Sequence, residues 1–239
     1  MCNRIVTDSH VIHFMGTHDP AFSRTAILKH GLRQRGVTVH DWAMPAWGTT
    51  AQRVAAARRG VRNPALAQRL LHTYRQLATR IVSAPARPGV LYVGYPAQLD
   101  VLVLRALLPR ARIICDAFVS LDETLADRRI GTANGPTRRA ARALDRLALR
   151  LADRVVVDTR AHLRRFAADY GLRRERAVVV PVGAEDPGRL DSPMEGEGEK
   201  LRVLYFGGFI PLHGVPLIVE AARLLGPECG ITIELLGDG

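Results

Sequence analysis

Lysine is almost missing from this chain. Of its 34 basic residues only Lys29 and Lys200 are lysine; the rest are arginine. So uniform a bias reads as a codon preference, and the net charge of +11 therefore says little about a partner. Cysteine is scarce too. Cys2, Cys115 and Cys229 lie far apart with no CxxC pair, which fits a reducing compartment and argues against a disulfide framework or structural zinc. Aromatic residues make up 5% of the chain and no nucleic-acid reader motif is present, so no nucleic-acid partner is expected. Long apolar runs are lacking: RIICDAF and VPLIVEAA are too short to cross a bilayer. The segment MCNRIVTDSHVIHFMG has neither the uninterrupted apolar core nor the cleavage site of a signal peptide, so a cytoplasmic location is expected. Asp8, His10, His13 and His18 crowd together, but their spacing specifies no coordination geometry and no metal is expected. Acidic residues vanish between Asp41 and Asp100, where eight arginines fall, from Arg53 to Arg87. Two readings fit that asymmetry: a surface that attracts phosphorylated substrates, anionic lipid or nucleic acid, or a plain solvated face.

What is present is enough apolar material for a core, 47% of 239 residues. It comes as short runs of Val, Ile and Leu separated by helical patterns, the signature of βαβ units around a parallel sheet. Strands are expected at Val11–Met15, VTVHDW, VLYVG, ARIICD, RVVVD and AVVVP. Helices are expected at Arg24–Arg35, after Asn63-Pro64, at Asp100–Leu108, Arg138–Leu151 and His162–Tyr170. Leu66, Leu70, Tyr74, Leu77 and Ile81 form one apolar stripe. Leu144, Leu147 and Leu151 are expected to form another, with Arg138, Arg142, Arg146 and Arg150 opposite. Residues 184–200 then hold six acidic residues, three glycines and two prolines, a composition that reads as an interdomain linker. A further β-α-β unit follows over 201–239. The fold class expected is α/β: a complete Rossmann-like domain over 1–183 and the start of a second, incomplete one.

Two strand-to-helix loops are candidates for chemistry, because open α/β sheets bind ligands at such loops. In GTHDPAFSR, Gly16 can admit a phosphate to the backbone, Ser23 can cap the helix and Arg24 can offer a forked donor. An ordinary βα turn with a solvent-facing arginine fits equally well. In GGFIPLHG, Gly207, Gly208 and Gly214 expose amides before a helix N-terminus, and His213 adds a donor, a plausible cradle for a diphosphate. Neither loop carries G-x-G-x-x-G or GK[ST], which removes nicotinamide and P-loop readings. Asp116, at a strand end, fits either contact with sugar or acceptor hydroxyls or a capping role.

The succession GTHDPAFSRTAILKHGLRQRGVTV, IICDAFVSLDET, LDRLALRLADRVVVDTRAH, VVVPVGAED and VLYFGGFIPLHGVPLIVEAARLL resembles family 4 of the GT-B glycosyltransferases. The resemblance implies two facing Rossmann-like domains and transfer of a sugar, with retention, from a nucleotide-diphosphate sugar to a saccharide or lipid-linked saccharide. It implies no cofactor and no metal. By resemblance Gly16, Gly207 and Gly214 match glycines that meet the donor diphosphate. Gly208 stands where the family has Arg and His213 where it has Lys, a change read as belonging to a PLHG-loop branch. Charge compensation then falls to His213 or Arg24. The family's histidine after the fourth strand is replaced by Asp116, Ser120 and Asp122. The family's Glu-x7-Glu element lies beyond Gly239, so the chain as given is expected to be inactive alone. The alternative is a non-catalytic acceptor-binding or membrane-docking module. The Arg138–Arg150 stripe is expected to rest on anionic headgroups at the inner face of the plasma membrane. Valine at position 16 is expected to block the donor while sparing the fold.

Overall fold

The computed structural model describes residues 11–47, 64–184 and 201–237. The chain divides into two compact units, Met1–Glu185 and Asp186–Gly239. In the first, β1 (Val11–Gly16), α1 (Ser23–Gln34), β2 (Thr38–Ala43), α2 (Pro64–Val82), β3 (Val90–Val93) and α3 (Gln98–Leu107) come in turn. They are followed by β4 (Arg112–Asp116), α4 (Leu121–Asp127), α5 (Pro136–Leu151), β5 (Arg154–Val157), α6 (Arg160–Tyr170) and β6 (Ala177–Val179). The strands form one sheet in the order β2-β1-β3-β4-β5-β6, and every pairing is parallel.

Both faces of this sheet are covered, which is why its central strands are apolar at nearly every position. On one face Met15, Leu91, Val93, Ile113, Val155 and Val157 pack under α2, α3, α5 and α6 through Leu77, Val101, Leu104, Leu149 and Phe166. On the other, Phe14, Tyr92 and Val156 pack with Leu28 and Leu32 of α1. This six-stranded parallel sheet flanked by helices is Rossmann-like. From β1 the chain moves outward to β2, then crosses back through α2 to β3 on the far side of β1. The strand order therefore reverses between β1 and β3, and a crevice at the carboxyl ends of those two strands follows from the topology.

Three local expectations are corrected. Leu147 is 43% exposed, and α5 buries Ala141, Asp145, Ala148 and Leu149 instead of a leucine stripe. Small side chains on that face let α5 lie close against α3, with Leu149 buried beside them, Leu144 and Leu151 half-buried and Leu147 turned outward. The four arginines of α5 are not a free stripe: Arg138 and Arg142 both pair with Asp122, and Arg146 donates to the Asp169 carbonyl. Ser23 does not cap α1; Phe22 is the N-cap residue, no side chain caps it, and Ser23 is the exposed first residue of the helix. A helix absent from the sequence reading, α4, follows β4. Ser120 accepts the Glu123 N–H at 3.0 Å, and Asp145 accepts the Leu121 and Asp122 N–H groups, both at 3.0 Å.

In the second unit β7 (Leu201–Phe206) and β8 (Ile231–Leu236) pair in parallel, joined by α7 (Val215–Leu225). Among its described residues Val215 is the one buried hydrophobic side chain, while Leu201, Leu204, Phe206, Leu217 and Leu236 are exposed. The segment read as a linker lies, from residue 185 to 200, outside the described residues, as do Asp8, His10 and the arginines from Arg53 to Arg62.

Candidate functional site

The turn after β1 lies at the reversal of strand order. Gly16 has φ +125°, and a Cβ built there would stand 2.5 Å from Asp100 Oδ2. Only glycine accommodates both constraints. The next residue, Thr17, donates its backbone N–H to that same oxygen at 2.7 Å, and its hydroxyl donates to the carboxylate at 3.0 Å. Asp100, in the first turn of α3, also accepts the Tyr74 hydroxyl at 2.8 Å, while Trp47 Nε1–H donates to Thr17 Oγ1 at 2.6 Å. Burial pushes the Asp100 carboxyl up to about 6, against the pull of these donors. This geometry corrects the expectation for position 16: a side chain there collides with Asp100 before any ligand is involved.

His18 follows in the turn and is completely buried, with both ring nitrogens lacking a hydrogen-bond partner among the described residues. Its ring lies against Gly94, where a Cβ would come within 2.9 Å of Cγ. Burial pushes this imidazole down to about 4, so it is neutral at physiological pH. His13 is elsewhere: it lies on β1 and stacks on His40 with ring centroids 5.0 Å apart. Among the described residues no three His, Cys, Asp or Glu side chains are placed to hold a metal ion.

Arg24 and Asp116, read separately in the sequence, are partners. Arg24 Nε donates to both Asp116 oxygens at 3.1 and 3.0 Å, and Nη1 donates to the Val180 carbonyl at 3.1 Å. Arg24 is 3% exposed and Asp116 1%, so the pair joins α1 to the ends of β4 and β6 inside the unit. Burial raises the Asp116 carboxyl, and Arg24 opposes that rise. Above this pair Phe22, Tyr95 and Phe118, from the loops after β1, β3 and β4, form a cluster with centroids 6.0 to 6.2 Å apart.

In the second unit Gly207 (φ +147°) and Gly214 (φ +63°) bracket the loop before α7. His213 is exposed, and its Nδ1 lies 2.7 Å from the Gly208 carbonyl and 2.9 Å from the Tyr205 hydroxyl. A ring nitrogen that close to a carbonyl carries the proton, so Nδ1–H donates to Gly208 and Nε2 is left as the outward atom. Gly214 is the N-cap of α7, with no side-chain cap and no acidic residue in the first turn.

Asp100, Thr17, Tyr74 and Trp47 were missed by reading the sequence. An aspartate at a helix start reads as a capping or dipole residue, and nothing near position 100 signals a partner 83 residues away. For α4 a signal was present: Ser120 and Glu123 stand at capping-box spacing.

No curated protein matches the chain. The family described as a glycosyl transferase 4-like domain matches residues 17–183, which covers the turn after β1 and the strands β2 to β6 with their helices. The chain belongs to the glycosyl transferase 4-like family.

Proposed function

We propose that this protein takes a sugar from a nucleotide-diphosphate sugar and passes it, with retention, to a saccharide or lipid-linked saccharide acceptor, without a metal. The observation that carries the reading is the pair of glycine turns at strand ends, Gly16 just before the family-matched residues and Gly207–Gly214 in the other unit, each leading to a helix whose N-terminus no side chain caps. Uncapped amides with a helix dipole behind them favour an anion. In the second unit the N–H groups of Gly207 and Gly214 are committed to the Leu236 and Pro211 carbonyls, and the three glycines Gly207, Gly208 and Gly214 serve by letting the diphosphate approach the loop closely. His213, fixed through Nδ1, turns Nε2 outward. When Nε2 also donates, the ring is an imidazolium and supplies a positive charge. Arg24 contributes by holding Asp116, and Asp116 by fixing the end of β4.

The transfer itself needs no protein nucleophile. The acceptor oxygen bonds to the anomeric carbon on the face from which the diphosphate leaves, and its proton passes to the departing phosphate oxygen. The protein's part is orientation and stabilisation of charge on the leaving group. The test is incubation of the full-length protein with labelled UDP-, GDP- and ADP-sugars and mixed saccharide acceptors, with NMR of the product's anomeric centre. Transfer with unchanged configuration and undiminished by chelator is expected. An inverted product would overturn retention, and no transfer from any donor would overturn the reading. His213→Ala should weaken donor binding about tenfold to hundredfold, since a charge-assisted hydrogen bond contributes about 1.5–3 kcal/mol. Unaltered donor affinity in that variant would remove His213 from the site.

A further inference from the structure

Asp100 is fully buried and cannot touch a donor or an acceptor, yet both its oxygens are engaged at the turn after β1. The donors come from three places. Thr17 gives its N–H and hydroxyl from the turn itself, Tyr74 gives a hydroxyl from α2, and Trp47 braces Thr17 from the segment after β2. That segment is stitched to the turn by backbone as well: Met44 N–H donates to the Gly16 carbonyl at 2.9 Å and Ala46 N–H to that of Thr17 at 3.2 Å. The carboxylate also fills the space that the missing Gly16 side chain leaves. Three donor protons thus converge on two oxygens, and only a group that accepts at both satisfies them. Asparagine would turn an N–H against one of the donors.

An apolar core side chain would fill this volume with less desolvation cost than a charge. What it could not do is fix the direction of the Thr17 N–H and hold Gly16 at positive φ, the two features that shape the turn at the strand-order reversal. We infer that Asp100 is a positioning residue, which holds the Gly16–Thr17 turn in the shape that receives a nucleoside diphosphate, with Tyr74 relaying that constraint from α2. The inference rests on the proposed donor.

The test uses the full-length protein, with UDP and GDP as probes in titration calorimetry, and hydrogen exchange read over residues 14–21. Tyr74→Phe removes one hydroxyl outside the turn. It should raise the nucleotide dissociation constant about 2- to 10-fold, the effect of one lost hydrogen bond. Exchange at Thr17 should quicken, with little change in Tm. Asp100→Asn should do the same more strongly; if it does not fold, Tyr74→Phe decides. Leu77→Val, which trims the core under the same helix, is the control and should lower Tm while leaving affinity unchanged. Faster exchange at Thr17 with unaltered affinity would overturn the inference, as would a loss of affinity in Leu77→Val equal to that in Tyr74→Phe. Failure of the wild-type protein to bind either nucleotide would instead overturn the reading of the donor.

Discussion

Replacing Gly16 with valine puts methyl groups where the Asp100 carboxylate already stands, at a backbone angle that a β-branched residue avoids. Strain and overpacking together should cost about 2 kcal/mol or more, read from urea unfolding. A variant as stable as wild type would show that α3 can yield at Asp100. The Arg24–Asp116 pair sets a second residue-scale expectation. Asp116→Leu strands a buried guanidinium and should cost about 3–5 kcal/mol, while adding Arg24→Met should restore most of it. Equal stability of the single and double variants would contradict that account. Sequence reading singled out Gly16 and Asp116 because glycine and aspartate at strand ends are conspicuous, and Arg24 because it stands at the start of a helix. It could not pair Arg24 with Asp116, or Thr17 with Asp100, because those contacts join positions 92 and 83 residues apart.

Helices and strands were legible where periodicity was strong. The α2 stripe is an example: Leu77 and Ile81 are buried and Leu66, Leu70 and Tyr74 partly so. In α5 the leucine stripe is off-centre, with Leu151 against the core and Leu147 exposed, because leucine outweighs alanine in any hydrophobicity count. Close packing against α3 needs alanine, and the buried Asp145 has a structural task, accepting from Gln98 and from the first amides of α4. Leu147→Lys should therefore change stability by less than about 0.5 kcal/mol, whereas Ala148→Leu should cost about 1–3 kcal/mol through overpacking. Thermal melts that reverse this order would restore the leucine face. The arginines of α5 belong to the same correction. With Arg138 and Arg142 sharing the one negative charge of Asp122, α5 presents less free positive charge than its sequence shows.

At the scale of the molecule, burial is concentrated in the six-stranded unit, and no helix among the described residues is long and apolar enough to cross a membrane. Hydrogen exchange should accordingly show strong protection in β3, β4 and β5 and weak protection in β7 and β8. Two buried groups at the turn after β1 then make opposing contributions to how the fold responds to acid. At about pH 5 the folded chain keeps its proton on Asp100, whose value is about 6, and leaves His18, at about 4, neutral. Unfolding exchanges them: Asp100 returns to 3.8 and releases its proton, and His18 returns to 6.5 and takes one up. The carboxyl alone would make stability fall as pH rises from about 4 to 6, and the imidazole alone would make it rise over about 4 to 6.5. Together they hand one proton between them, and unfolding near pH 5 draws almost none from solution on their account. His18→Asn should uncover a fold that weakens as pH rises through this window, and Asp100→Asn one that weakens as pH falls. Each group is the other's proton buffer.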